Sequence, residues 1–206
     1  MNKEEKFVIT ISRQFGTGGH EIGAELARRL DVKLLDKQIL NEVARKFNIV
    51  EEAVERIGAR NPLWRDDFTQ FYRSYMAGAE YNGQEYDQTS RQLFEAQAEV
   101  IRRIAAQESC VIIGRCGFHI FRNHPNALKI FIHADDDVRK KRIGRKYDIS
   151  ESDAAAMIVD NDYSRELYTK TYTGSEWQDA RNYDISLNVK QFGVNGAVDF
   201  LMNVIG

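Results

Sequence analysis

Short runs of β-branched and other apolar residues alternate along the chain with stretches in which apolar residues recur every three or four positions. The apolar runs predict strands, of which the second is short and weak, at 7–12, 33–35, 110–113, 128–133 and 184–188. The periodic stretches predict helices at 20–30, 37–47, 51–58, 88–107, 136–147, 151–171 and 195–205. Ser150 and Asp153 resemble a capping box and mark one helix start. This alternation predicts an α/β fold in which helices cover a parallel sheet.

Region 59–90 differs from its surroundings, because aromatic residues are interleaved with arginines there. One interpretation is a helical excursion whose aromatic side chains pack on the main core. The other is an insertion that binds an acceptor or closes over a substrate, and both can hold at once. We therefore expect a single domain over 1–206, with this insertion and a lid-like basic segment near 136–172.

Composition and charge narrow the class of protein. The formal net charge of −2 argues against a general nucleic-acid binder. No run approaches the roughly 20 apolar residues that a membrane-spanning helix needs, and the N-terminus has no secretory apolar core. Cys110 and Cys116 lack paired metal-ligand spacing, which indicates reduced thiols. We expect a cytoplasmic monomer or homodimer without a membrane or nucleic-acid partner, and we assign no metal-ligating side chain.

The glycine-rich turn after the first predicted strand is the main candidate site. A strand, a glycine loop and a helix N-terminus together form an anion site, because unpaired amides and the helix dipole point at the loop. A glycine turn that merely links a strand to a helix is the alternative, although the position of this turn after the first strand favours phosphate binding. The residues that we expect to hold phosphate are Gly16, Thr17, Gly18, Gly19, His20 and Glu21.

The turn departs from the usual phosphate-loop signature, which is G-x-x-x-x-G-K-[ST]. In an alignment without gaps, the first glycine of the signature falls on Arg13, the lysine on Gly19 and the hydroxyl on His20. The sequence therefore predicts a phosphate cradle that lacks its standard lysine. Arg13, at the strand end, is our candidate to replace the charge of that lysine.

Two further predicted strands end in charged residues, and open parallel sheets bind ligands beyond these ends. Arg115 follows the third strand and should point into the same crevice as the glycine loop, where arginine suits bidentate phosphate recognition. A surface arginine is the alternative. Asp36 and Lys37 follow the second strand. Asp36 could bind an acceptor hydroxyl, a base amine or an Mg²⁺-bound water, or it could cap the helix that begins at Lys37.

Two helical segments add candidate phosphate ligands. Arg139 and Arg142 share a helix face within a run of six cations over 139–146, which follows the fourth predicted strand. Such a run either forms a solvated charged face or supplies cations to a transferred phosphoryl group. Asp162 and Arg165 lie three residues apart, and they either pair on the helix surface or both face a nucleotide.

Taken together, these pieces resemble the cytidylate kinase-like family of small P-loop proteins, which is related to nucleoside monophosphate kinases. The matching pieces lie, in order, at 11–23, 35–37, 111–115, 129–132, 139, 142, 162–165, 172–174, 177 and 183–184. The resemblance implies a three-layer P-loop NTPase fold of the nucleoside monophosphate kinase kind, in which helices flank a parallel sheet and a helical insertion is added. It also implies ATP as donor, Mg²⁺ and a CMP-like acceptor.

The resemblance further implies roles for individual side chains. Arg115 would bind the acceptor, Arg139 and Arg142 would lie at the lid, and Asp162 and Arg165 would close on the nucleotides.

This chain departs from the family pattern at three positions. An acid follows the Gly-Arg pair in true cytidylate kinases, and Cys116 stands there in this chain. Gly19 and His20 are the other two departures. We expect ATP-dependent phosphoryl transfer to a nucleoside monophosphate, with a CMP-like or dCMP-like acceptor favoured. The alternative is a non-catalytic nucleotide-binding or regulatory protein with a degenerate P-loop.

Overall fold

A parallel sheet of five strands lies at the centre of the computed structural model, which describes residues 1–36 and 83–206. The strands are β1 (Val8–Arg13), β2 (Lys33–Leu35), β3 (Cys110–Ile113), β4 (Ala127–His133) and β5 (Ile185–Asn188). Their order in the sheet is β2-β3-β1-β4-β5, with every neighbouring pair parallel. β1 and β3 are almost entirely buried, which is why both read as continuous apolar runs.

Helices connect these strands along the chain. They are α1 (Gly19–Leu30), α2 (Gly83–Gln107), α3 (Gly117–Ile120), α4 (Asp136–Tyr147), α5 (Glu151–Thr173) and α6 (Gly193–Ile205), with a short 3-10 helix at Ala180–Asn182. Leu26 of α1 and Leu201 of α6 are fully buried in one core with Ile9 and Ile130 of the sheet. This core fixes the start of α1 beside the end of β1.

The strand register brings several strand ends to one edge of the sheet. β1 lies between β3 and β4, with Ile11 opposite Ile113 and Arg13 opposite Ile132. The carboxyl ends of β1, β3 and β4 therefore meet. In parallel sheets a crevice forms outside the carboxyl ends of neighbouring strands whose connections lead to opposite sides of the sheet. In this sheet the crevice lies at the end of β1.

The strand predictions are confirmed to within one residue at each end, as are the bounds predicted for α4. The predicted start of α5 is also correct, since the Asp153 amide donates to the Ser150 hydroxyl at 3.1 Å. α2 begins at Gly83 rather than at 88. The sequence did not predict α3 and the 3-10 helix, which are too short to show a periodicity.

The chain divides into two compact units, Met1–Asp36 with Arg103–Gly206, and Lys37–Arg102. The first unit contains all five strands. In the second unit the structure describes residues 83–102, which are helical. The helices predicted at 37–47 and 51–58, and most of the predicted insertion at 59–90, lie outside the described residues. Over the residues that the structure does describe, no helix combines the length and apolarity needed to cross a membrane.

Candidate functional site

The turn between β1 and α1 has the geometry of an anion cradle. α1 begins after Gly18, whose φ of 81° is left-handed and whose lack of a side chain leaves the helix start without a side-chain cap. The first amides of a helix have no acceptor within the helix, so here they are left for a bound anion. The Gln14 amide donates to the Ile132 carbonyl at 3.0 Å, and the Thr17 hydroxyl donates to the Gln14 carbonyl at 2.9 Å. These bonds anchor the loop to the sheet.

Two glycines of the loop have neighbours that leave no room for a side chain. A Cβ added at Gly16 would lie 3.0 Å from Ile143 Cγ1 and 3.1 Å from the Arg139 carbonyl oxygen. A Cβ added at Gly18 would lie 2.7 Å from Val194 Cγ2. α4 therefore packs directly against the loop, and the glycines are required for this close approach.

Asp162 on α5 connects the loop to arginines of two helices. Its Oδ1 accepts the Phe15 amide at 2.7 Å and Arg165 Nη1 at 3.1 Å, and its Oδ2 accepts Arg139 Nη1 at 2.5 Å. The Asp162 and Arg165 side chains are each only 14% exposed, so the predicted pair forms but is not a solvated surface pair. The Arg165 guanidinium also lies 5.4 Å from the centroid of the Phe15 ring.

The basic run of α4 divides between the loop and the solvent. The Arg139 side chain is 6% exposed and also pairs with Asp136, while Arg142 Nη2 donates to Glu21 Oε1 at 2.9 Å. Desolvation raises the pKa of the Glu21 carboxyl, but hydrogen bonds from its own backbone amide and from Arg142 hold that pKa below its ordinary value. Exposed residues of the same run, such as Arg145, form the solvated face.

Arg13 lies at the end of β1, and its side chain runs past the start of α1 towards β3. Its stem lies against Gly19 and its guanidinium against Gly114, the residue that follows β3. Burial and the charges of Arg165 and Arg115 lower the pKa of Arg13 to about 9. Asp36 and Asp162 act in the opposite direction. The predicted residues Arg13, Arg115, Arg165, Asp36 and Asp162 therefore lie within one electrostatic cluster.

Arg115 follows β3 in an unusual backbone conformation. Gly114, Arg115 and Cys116 have φ values of 71°, 56° and 52°, a left-handed region that costs energy for residues other than glycine. Burial lowers the pKa of the Arg115 guanidinium and raises that of the Cys116 thiol to about 12. Cys116 Sγ lies 3.9 Å from Thr169 Oγ1. The neutral, buried thiol therefore does not replace the charge of an acid at this position.

Few oxygen ligands for Mg²⁺ lie near the loop among the described residues. His20 stands at the hydroxyl position of the signature, and imidazole is not a ligand that Mg²⁺ prefers. Asp36 Oδ2, 3.4 Å from His20 Nε2, is the carboxylate beside the first turn of α1. No three His, Cys, Asp or Glu side chains of the described residues are grouped to hold a metal. Among the described residues, Asp36 could therefore hold a water bound to Mg²⁺, and the protein offers few direct ligands for the ion.

The structure places most of the predicted residues and adds one that the sequence did not indicate. Lys37 lies outside the described residues, and so does the helix that Asp36 would cap, so both interpretations of Asp36 remain open. Phe15 was not among the predicted site residues, although its amide binds Asp162 and its ring lies under Arg165. No signal in the sequence pairs Phe15 with Asp162.

Comparison with known proteins identifies relatives over nearly the whole chain. The model of the cytidylate kinase-like family matches residues 8–191. A cytidylate kinase of Sulfolobus acidocaldarius is 25% identical over 198 residues, which cover 96% of this chain and 93% of that protein. A cytidylate kinase of Methanosarcina acetivorans is 32% identical over 99 residues, which cover 48% of this chain and 55% of that protein.

Solved structures show the same architecture. An uncharacterized protein from Eubacterium ventriosum superposes with a TM-score of 0.71 and 27% identity, over 97% of this chain and 98% of that one. A shikimate kinase from Bacteroides thetaiotaomicron superposes with a TM-score of 0.51 and 14% identity, over 97% of this chain and 98% of that one. This second likeness is one of fold alone. The predicted fold class, a P-loop kinase-like parallel sheet flanked by helices, is confirmed.

Replacement of Asp162 by alanine should destabilise the protein strongly. The change leaves Arg139 and Arg165 without this carboxylate in a largely buried place, and the loss of one partner of a buried ion pair costs about 3–5 kcal/mol. Urea unfolding measures the loss. Glu166→Ala, an exposed change on the same helix, should stay within about 0.5 kcal/mol of the unchanged protein. Similar stabilities of the two variants would contradict this assignment.

The thiols should be unreactive in the folded protein. Burial raises the pKa of Cys110 and of Cys116 to about 12, and the thiolate is the reactive form. An aromatic disulfide reagent should therefore react slowly with the native chain at pH about 8, which is close to the pKa of an ordinary thiol. In urea the same reagent should titrate both cysteines of the chain. Rapid native reaction of either thiol would show that its surroundings are wrongly described.

Proposed function

The chain belongs to the cytidylate kinase-like family, and we propose that it transfers the γ-phosphoryl group of ATP to a nucleoside monophosphate, with a CMP-like or dCMP-like acceptor favoured. The observation that carries the proposal is the start of α1, which has no side-chain cap. Arginines of β1, α4 and α5, and the arginine that follows β3, lie around it. We place this activity in the cytoplasm, on small-molecule nucleotides, in a monomer or homodimer.

The donor would bind at the glycine loop. Amides of residues 16–20 would hold the donor phosphates, with Arg142 beside Gly18 as a further cation. Mg²⁺ bound with the nucleotide would neutralise charge on the donor phosphates, and Asp36 would hold a water bound to the ion. Arg13 would replace the positive charge of the signature lysine at the γ-phosphoryl group as that group is transferred.

Catalysis would come mainly from positioning and charge neutralisation. Arg115, Arg139 and Arg165 would clamp phosphate oxygens from different directions, as their positions around the loop support. Asp162 now holds Arg139 and Arg165, so phosphate binding would exchange part of these contacts. The attacking oxygen belongs to the acceptor phosphate and needs little activation, so no general base is assigned.

The acceptor is proposed from the relatives, since two of them are named cytidylate kinases. Cys116 departs from the acid found at its position in true cytidylate kinases, and its buried thiol carries no charge to bind a base amine. We therefore expect activity with CMP or dCMP and a weaker preference for cytosine than a carboxylate would give.

Coupled ADP release tests the proposal directly. ATP and Mg²⁺ are supplied with CMP, dCMP, UMP, AMP or GMP at matched enzyme levels, and the rate without acceptor is subtracted. Turnover should appear with at least one acceptor and be highest with a cytidine nucleotide. Arg145→Ala, an exposed change on α4, should behave like the unchanged protein. No turnover with any of the five would contradict the monophosphate kinase assignment.

The second candidate is a nucleotide-binding protein without useful turnover, acting as a sensor or regulatory module. Gly19 and His20, at the lysine and hydroxyl positions of the signature, favour it. Thermal-shift measurements with ATP, ADP, CMP and CTP, with and without Mg²⁺, separate the two candidates. Stabilisation without turnover supports the sensor, and the absence of any stabilisation excludes both.

Arg165→Ala should lower turnover by at least about tenfold while ATP binding changes little, since the contact would form mainly in the transition state. Its present partners, Asp162 and the Phe15 ring, are not donor ligands. Turnover and the ATP dissociation constant are measured on the same preparation, beside Arg145→Ala. Normal turnover of folded Arg165→Ala would restrict the residue to a structural role.

A further inference from the structure

The Arg13 side chain lies where a side chain at either Gly19 or Gly114 would begin. A Cβ added at Gly19 would lie 2.7 Å from both Cβ and Cγ of Arg13, a distance at which something must move. A Cβ added at Gly114 would overlap Nη1 of the Arg13 guanidinium. Gly19 is the position of the signature lysine, so the stem of Arg13 stands where the lysine side chain would begin. A lysine at 19 and an arginine at 13 therefore exclude each other in this backbone.

The guanidinium lies among other cations rather than against an acid. Arg165 and Arg115 are the charges that lower its pKa, after burial. Asp36 and Asp162 act on it through space, and within residues 1–36 and 83–206 no carboxylate forms an ion pair with it. A half-buried guanidinium that lies near other cations and has no ion-pair partner among the described residues favours the entry of an anion at this place.

The sheet order shows on which side of the loop this guanidinium lies. β1 has β3 on one side and β4 on the other. Arg142 and Arg139 belong to α4, which follows β4, and they lie against Gly18 and Gly16. Arg13 extends the opposite way, to Gly114 at the end of β3 and next to Arg115. Its guanidinium thus lies between the glycine loop and the arginine proposed to bind the acceptor.

We infer that Arg13 contacts the phosphoryl group as it is transferred and the acceptor phosphate, rather than the resting donor phosphates, and that residue 19 is a glycine because Arg13 fills its side-chain space. The inference rests on the proposed function. In the step, an acceptor phosphate oxygen forms a bond to the γ-phosphorus while the bond to the β–γ bridging oxygen breaks, and that electron pair leaves with ADP. Arg13 donates hydrogen bonds to non-bridging oxygens and transfers no proton.

Separate binding and rate measurements test the placement. Arg13→Ala should lower turnover by roughly tenfold or more and raise the KM for the acceptor, while the ATP dissociation constant stays within about threefold. Arg142→Ala, on the other side of the loop, should weaken ATP binding instead. Arg145→Ala is the exposed control. If Arg13→Ala weakens ATP binding as much as it lowers turnover, Arg13 is a donor ligand and the placement is wrong.

An exchange of charge tests the steric part of the inference. Gly19→Lys alone should be impaired, because its Cβ meets Arg13 Cβ and Cγ at 2.7 Å. Arg13→Gly, which removes both of these atoms, combined with Gly19→Lys should recover stability and nucleotide affinity relative to Gly19→Lys, a non-additive result. Should Gly19→Lys fail to fold, folding of the double variant is itself the expected rescue, and Gly19→Ala provides the milder single change. Additive losses would overturn the exclusion.

Inorganic phosphate distinguishes failure of this inference from failure of the proposed function. Phosphate should raise the melting temperature of the unchanged protein more than that of Arg13→Ala, with chloride at equal ionic strength as reference. Arg145→Ala should respond like the unchanged protein. Equal shifts in the unchanged protein and Arg13→Ala would overturn the anion contact, even in a chain that turns over no monophosphate. A smaller shift in Arg13→Ala without any turnover would retain the anion contact and reject the kinase.

Discussion

The geometry of the glycine loop between β1 and α1 depends on the contacts of the Asp162 carboxylate. This carboxylate binds the Phe15 amide of the loop and guanidiniums from α4 and α5, which come from three separate parts of the chain. A partly buried carboxylate needs such partners, and the arginines need an anion, so each group holds the others in place. The loop can therefore stay open to a phosphate without losing its shape, because its outer side is fixed by α5 rather than by a ligand.

The balance of charge around Asp162 also determines what the site can accept. Arg13 and Arg115 lie close enough to Arg165 and to each other for burial and repulsion to lower the pKa of Arg13, and among the described residues Asp36 and Asp162 oppose this. A phosphate entering this place would add negative charge beside these arginines. Groups held ready in this way need little reorganisation during phosphoryl transfer, and this preorganisation is how fixed cations stabilise developing charge.

Local patterns were enough to predict the five described strands, the bounds of α4 and the start of α5. The β-branched runs of β1 and β4 and the Ser150 cap of α5 are signals within a few residues, and they gave bounds close to those observed. The pairing of Phe15 with Asp162 joins residues 147 positions apart, and that of Arg142 with Glu21 joins residues 121 apart. Such contacts depend on how α4 and α5 return to the loop, which periodicity does not encode.

The course of Arg13 explains why a loop without its lysine can still be suited to phosphate. A lysine at the start of α1 would bring a point charge on a flexible stem, whereas Arg13 starts from a strand paired on both sides and passes between two glycines. Its stem is thus confined, and its planar guanidinium offers paired donors at a fixed place. The glycine at 19 is then not a sign of lost chemistry by itself. It is the space that an arginine entering from β1 requires, whereas the φ of 71° at Gly114 favours glycine by itself.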